Sequence, residues 1–341
     1  MSKPDLTLDK LTLIRTLGSG RMGTVELYKE TDPSFPNAPP IFTAVKSIPR
    51  SSVTSQAQST RIMREKATLL ALSHPNLISL YATSKDDSHL YFLLSPVLGG
   101  PLHKHFRDSL NGKFAVNRVK MYTAEIASAL MTMHANNFVH RDIKASNVLI
   151  SAAGNCVLAD FGYSKLLPAD NRQTFTFCGT LHAMSPEIAT KSPSGHSFAT
   201  DWWSLGVLVY ECLVGAPPFG YGDDREDFLK KLEQQTDGDD GVTYDPAVFD
   251  GVGRSAKELI QVHKCAGPCT SGSKGATSGS NGAMSGPKGV MSGPKGARAA
   301  RKALFAIKTR CSFVHTVVYV LGQRCMSMVC LPLVHTAASC L

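Results

Sequence analysis

Apolar residues in the first 260 positions recur in two rhythms, every second residue early in the chain and every third or fourth later. Leu11–Leu17 and Thr24–Tyr28 alternate as strands do and flank a glycine-rich turn, and Ile41–Ile48 is a β-branched run. Ser59–Leu72 has helical spacing, with Ile62, Ala67, Leu69 and Leu70 on its stripe, and Leu77–Tyr81 and His89–Leu94 read as strands again. Asn117–His134 carries the strongest helical stripe, Val119, Tyr122, Ile126, Leu130 and Met133. Asp201–Val214 is apolar nearly all round, the mark of a buried helix. Strands precede long helices, with a Gly99-Gly100 turn between them. The pattern predicts an α+β, bilobal fold, a small β-rich lobe over 11–98 and a larger, mostly helical lobe over 99–262.

Composition changes the picture at the C-terminal end. Residues 266–297 hold nine Gly, six Ser and three Pro, with MSGPKG at 284–289 and again at 291–296. Such a segment cannot bury enough apolar surface to offset backbone entropy, so 263–298 is read as a flexible linker. The remainder, 299–341, is an atypical tail that fits no period. Its Cys325, Cys330, Cys340 and His335 make only a weak zinc pattern. The net charge of +9 is confined to this end: from Arg254 onward there are twelve Lys/Arg against Glu258 alone, and residues 1–253 carry 24 basic against 26 acidic. That distribution argues against specific nucleic-acid recognition. No apolar run is long enough for a membrane span, and no signal-peptide core opens the chain. With nine cysteines in no regular spacing, the thiols are expected reduced and the chain intracellular, in the cytoplasm or nucleus.

The candidate chemistry lies in four places. Gly18-Ser19-Gly20-Arg21-Met22-Gly23 sits between two predicted strands, where its backbone amides could cover phosphates; alone, the pattern also fits an ordinary hairpin. Lys46 ends an apolar strand, where an unpaired ammonium is costly, and Glu65 on the next predicted helix is a candidate partner. After the long helix comes His140-Arg141-Asp142-Ile143-Lys144-Ala145-Ser146-Asn147, and thirteen residues on Asp160-Phe161-Gly162. Mg²⁺ takes hard oxygen ligands and keeps several waters, so one amide and one carboxylate plus phosphate oxygens suffice, leaving Asp142 free to orient a hydroxyl and accept its proton.

Taken in order over about residues 11–262, these motifs resemble the eukaryotic protein kinases. The resemblance implies ATP and Mg²⁺ as cofactors and phosphoryl transfer to Ser or Thr of protein substrates. It implies Gly18, Gly20 and Gly23 as the glycine-rich loop, with Leu17, Ser19, Arg21 and Met22 beside them, and Lys46 with Glu65 as the phosphate-orienting pair. Asp142 matches the catalytic aspartate, Lys144 the γ-phosphate lysine, and Asn147 and Asp160 the metal ligands. Val25, Ala44 and Leu149 would enclose the adenine, with Leu94 as gatekeeper and Ser95 and Val97 offering backbone hydrogen bonds. Thr174-Phe-Thr176-Phe-Cys178-Gly179-Thr180, then Ser185-Pro186-Glu187 and Asp201-Trp202-Trp203, is similar to the cyclic-nucleotide-dependent (AGC) group. There Thr176 matches the activating phosphosite, with Arg141, Lys165 and Arg61 as its cations, and Thr180 the threonine beside the catalytic aspartate. A regulatory subunit or an upstream kinase is the implied partner.

The pattern also departs from that group. Pro101 and Ser146 stand where arginine-reading members carry glutamates, and Leu181-His182-Ala183-Met184 replaces a Pro-Glu-Tyr-Leu pattern. In the family Glu187 pairs with an arginine near the last large-lobe helices, and Ser255–Val262 runs into the linker without one. These departures keep a second reading open, a kinase-shaped scaffold without activity.

Overall fold

Five antiparallel strands build the small lobe: β1 (Leu11–Gly20), β2 (Gly23–Glu30), β3 (Ile41–Pro49), β4 (Leu80–Lys85) and β5 (His89–Leu94), joined in the order β1-β2-β3-β5-β4. A computed structural model describes residues 11–20, 23–30, 40–109 and 112–236 of the chain. Arg21, Met22, the large-lobe residues after 236, the linker and the tail with its cysteines and His335 lie outside the described residues. β1 and β2 pair as far as Gly20 opposite Gly23, with register shifts at Leu13/Arg15 and Thr16/Gly18, so the glycine motif is the tip of a hairpin. Gly23 has φ +133°, and a Cβ there would overlap the Ser47 carbonyl of β3, so only glycine fits the approach of the two strands.

Helix α1 (Gln56–Ala71) crosses behind the sheet. It starts at a reciprocal cap in which the Ser55 hydroxyl accepts from the Gln58 amide and the Gln58 side chain accepts from the Ser55 amide. Its buried face is Ile62, Glu65, Thr68 and Leu69, whereas Ala67 and Leu70 of the predicted stripe face solvent, Leu70 at 61% exposure. The correction has a physical cause: Glu65 and Thr68 find polar partners inward, and the helix turns their side to the interior. The strand predicted at 77–81 is displaced. Leu77 is buried and bridges Leu158, Ile78 N–H donates to the Leu158 carbonyl, and regular pairing with β5 begins only at Leu80.

The larger lobe contains α2 (Leu102–Asp108), α3 (Val116–Ala135), the short strands β6 (Phe138–Val139), β7 (Val148–Ile150), β8 (Cys156–Leu158) and β9 (Lys165–Leu166), then α4 (Pro186–Ala189), α5 (Ala199–Val214) and α6 (Arg225–Thr236). The α3 stripe Val119, Tyr122, Ile126, Leu130 and Met133 is buried as the spacing predicts. α5 is buried on nearly every side and ends at Gly215, whose φ of +93° closes the helix in the left-handed conformation that glycine adopts without strain. One apolar cluster joins Ala44, Leu94, Leu130, Phe161 and Leu205, so strand, helix and loop residues share a core with the β7–β8 hairpin. That hairpin and the long-range antiparallel pair β6–β9 flank the residues with chemistry.

Candidate active site

The loop from His140 to Asn147 hangs between β6 and β7 and is fixed from below. Asp201, fully buried in the first turn of α5, accepts the amides of His140 at 2.9 Å and Arg141 at 2.7 Å, and the His134 ring at 2.8 Å. Burial alone raises its carboxyl pKa, but the hydrogen bond and charge of His134 and the His140 contacts outweigh that and hold it below the usual carboxylate range. Arg141 takes φ +69°, unusual for a side chain of its size, and the Asp201 hydrogen bond to its amide holds it there. The sequence marks Asp201 through the Asp201-Trp202-Trp203 motif and as the opening of a buried helix, but not as the anchor of the His140 and Arg141 backbone.

Asp142 is buried and fully engaged. Its Oδ1 accepts from the Thr180 hydroxyl at 2.6 Å; its Oδ2 accepts from Asn147 Nδ2 and lies 2.9 Å from Lys144 Nζ. Lys144 Nζ also donates to Thr180 Oγ1 at 2.6 Å, closing a ring of three side chains. Asn147 spends its amide nitrogen on the carbonyl and carboxylate of Asp142, each at 2.9 Å, which leaves its oxygen as the group able to take a cation. Asp160, half-buried with φ +58°, accepts from the Gly162 amide at 3.2 Å. Burial alone would raise its carboxyl pKa, but the Lys46 and Arg61 charges outweigh that and keep it below its ordinary value.

Lys46 Nζ donates to both oxygens of Glu65, at 2.6 and 2.8 Å, with the two side chains 16% and 7% exposed. β3 supplies the lysine and α1 the glutamate, so the pair ties helix to sheet. Around it, Ala44 is buried opposite Leu94, and Leu17 and Val25 pack on the core edge. Leu149 of β7 is half-buried and bridged to Pro101. The Ser95 amide donates to the Ser79 carbonyl at 2.9 Å, so of Ser95 only the carbonyl is left to face a base. Gly18 lies opposite Val25 and Ser19 opposite Thr24, and a Cβ on Gly18 or Gly20 would meet open space. One amide oxygen, one carboxylate and a glycine hairpin over open space fit a magnesium-bound nucleotide.

The chain matches the protein kinase domain family over residues 11–266. It belongs to that family. It is 34% identical over 260 residues to Serine/threonine-protein kinase YPK1 of Saccharomyces cerevisiae, an alignment that spans 76% of this chain and 35% of the relative. It is 37% identical over 225 residues to the cAMP-dependent protein kinase catalytic subunit of Dictyostelium discoideum, covering 66% of this chain and 33% of that one. The cAMP-dependent protein kinase, catalytic subunit-like protein of Caenorhabditis elegans is 34% identical over 220 residues, 64% of this chain and 52% of its own. The chain thus spans about a third to a half of the length of these relatives.

Within this kinase domain the segment from Tyr163 to Glu187 is held at several points. Thr174 is buried, exchanges both backbone hydrogen bonds with His196, and accepts from Lys165 Nζ at 2.9 Å. Thr176 is exposed. Arg141 Nε donates to the Tyr163 carbonyl at 2.8 Å, while its two terminal nitrogens are buried with no hydrogen-bond partner among the described residues. Lys165 is pulled below its usual pKa by burial and then by the Arg141 and Arg64 charges, so Arg64 belongs to this cationic group, which sequence reasoning did not include. Arg61, expected beside Thr176, instead lies on Asp160 and Tyr163. Burial pushes the Cys178 thiol up, away from reactive thiolate. Glu187 forms no ion pair among the described residues and burial raises its carboxyl pKa; α4 is instead secured by Arg225, which donates to the Ala189 carbonyl at 3.0 and 2.7 Å.

Proposed function

We propose that this domain is an ATP-dependent protein serine/threonine kinase, transferring the γ-phosphoryl group of ATP to a Ser or Thr hydroxyl of a protein substrate. The observation that carries the reading is the Asp142 carboxylate, oriented at both oxygens by Thr180, Lys144 and Asn147. Asp142 orients the acceptor hydroxyl and takes its proton as the bond to phosphorus forms. Lys144, already within the ring, offsets charge on the transferring group, and Lys46, aimed by Glu65, holds phosphate oxygens. Asn147 and Asp160 would hold Mg²⁺, which neutralises phosphate charge when bound. Positioning and electrostatics account for most of the barrier reduction, with no covalent enzyme intermediate.

Under this reading the partners are protein substrates, an upstream kinase acting at Thr176, and a separate regulatory chain, since relatives are named as catalytic subunits. Phosphate on Thr176 is supported by the buried, unsatisfied Arg141 nitrogens, which need an anion. An intracellular site of action, cytoplasmic or nuclear, belongs to the same proposal. Among the described residues no helix is long and apolar enough to cross a membrane. The scaffold reading would give these polar side chains no use for their mutual geometry. A transfer assay with γ-labelled ATP and a generic basic protein substrate tests the proposal. Label is expected with the unaltered chain and lost with Asp142→Asn; equal label on both removes the enzyme reading.

A further inference from the structure

The Arg61 side chain runs from the second turn of α1 across the backbone at Asp160–Tyr163. Its Nη2 lies 3.4 Å from Asp160 Oδ2 and 3.5 Å from Oδ1. Its guanidinium carbon stands 4.2 Å from the centre of the Tyr163 ring. Its stem passes so close to Gly162 that a Cβ there would overlap Nε. One side chain therefore touches three of four consecutive residues in the segment that carries Asp160. Asp160 holds φ +58° with the Gly162 amide on its Oδ1 and the Arg61 guanidinium beside its carboxylate.

The same guanidinium has an electrostatic consequence. It occupies one side of the carboxylate that, on the reading above, ligates a divalent cation. Two cations sharing one carboxylate repel each other. With the Arg61 and Asp160 side chains 27% and 36% exposed, water screens that repulsion without abolishing it. The Lys46–Glu65 pair, one turn further along α1, uses different atoms, although the Lys46 charge also acts on the Asp160 carboxylate.

We propose that Arg61 is a positioning residue that holds the Asp160 carboxylate in place before a divalent cation arrives and competes with that cation for it. Cation occupancy then depends on the Arg61 guanidinium beside the Asp160 carboxylate. The inference rests on Asp160 being a metal ligand.

The test uses the full chain saturated with a non-hydrolysable ATP analogue and titrated with Mn²⁺, free ion being read by electron paramagnetic resonance. Arg61→Gln, which keeps the stem over Gly162 but removes the charge, is expected to bind Mn²⁺ about five- to tenfold tighter than the unaltered chain. Arg61→Lys keeps the charge and is expected to stay within about twofold. Equal or weaker binding by Arg61→Gln overturns the proposal, as does equal tightening by the Lys variant, which would assign the effect to lost stacking. Should Arg61→Gln fail to fold by circular dichroism, Arg61→Met is read by the same criteria. Asp160→Asn separates the two levels: wild-type Mn²⁺ binding by that variant would remove the metal-ligand reading itself, whatever the arginine variants do.

Discussion

The Thr180 hydroxyl donates to Asp142 Oδ1 at 2.6 Å while accepting from Lys144 Nζ at the same distance. One small side chain thus joins the Tyr163–Glu187 segment to both Asp142 and Lys144 of the His140–Asn147 loop. A hydrogen bond to an ionised carboxylate contributes roughly 1.5–3 kcal/mol, so Thr180→Ala is expected to lower kcat about ten- to a hundredfold with a smaller change in KM for ATP. Thr180→Ser, which restores the hydroxyl, should recover most of the rate. Steady-state kinetics on both variants decide it; an alanine variant of unchanged kcat would show the ring to be idle.

Glu65 and Lys46 make the next prediction. Glu65→Gln leaves the Lys46 ammonium facing a neutral amide in a site that water reaches poorly. Breaking a fully buried pair costs roughly 3–5 kcal/mol; with Lys46 partly hydrated, about 2 kcal/mol of lost stability is expected. KM for ATP should rise about tenfold as the ammonium loses its aim. Adding Lys46→Met to Glu65→Gln should restore part of the stability, because the lone charge is gone. Urea unfolding of the two single variants and the double variant measures this, and strictly additive losses would deny the coupling.

How much of this was legible in the sequence depends on what each residue answers to. Lys46 and Glu65 could be read because a charge at the end of an apolar strand demands a partner, and the α3 stripe because its period fixes the buried face. The α1 stripe could not be read from apolar spacing alone. Glu65 and Thr68 are polar and buried, Thr68 Oγ1 meeting Ser164 Oγ at 2.5 Å, and they displace Ala67 and Leu70 outward. Leu77–Ile78 look like a strand of the small-lobe sheet but pair with Leu158 at the end of β8, a long-range choice no local pattern records. Asp201 is legible in the sequence as the opening of a buried helix and as part of the Asp201-Trp202-Trp203 motif. Only the structure shows that three donors converge on it. Arg61 could be placed near anions by motif, but not assigned between Asp160 and a phosphate.

Asp201 supplies the third prediction. Asp201→Asn keeps the shape but replaces one oxygen by an NH₂ group, which faces either the Arg141 amide or the His140 amide with the His134 ring, leaving a buried donor unsatisfied. A stability loss of about 3 kcal/mol is expected, along with a fall in activity as the His140–Asn147 loop loses its anchor. A denaturation midpoint equal to that of the unaltered protein would show that the loop holds its left-handed Arg141 without this carboxylate.

The last prediction concerns pH. His196 is buried against the activation segment, and burial first, then the Arg141 charge, pushes its pKa down to about 4. The unfolded chain binds that proton near the ordinary histidine value of about 6.5, so between these limits the unfolded state holds more protons than the folded one. Stability from this site is therefore complete above about pH 6.5 and falls as the pH drops toward 4, by at most roughly 3 kcal/mol. His140, also buried and shifted down, adds a loss of the same sign. His196→Gln removes one of these titrations, so its melting temperature should fall less steeply with acidification than that of the unaltered chain. Thermal melts from pH 7.5 to 4 on both proteins measure the difference in slope, and identical slopes would place the His196 proton equally in the folded and unfolded states.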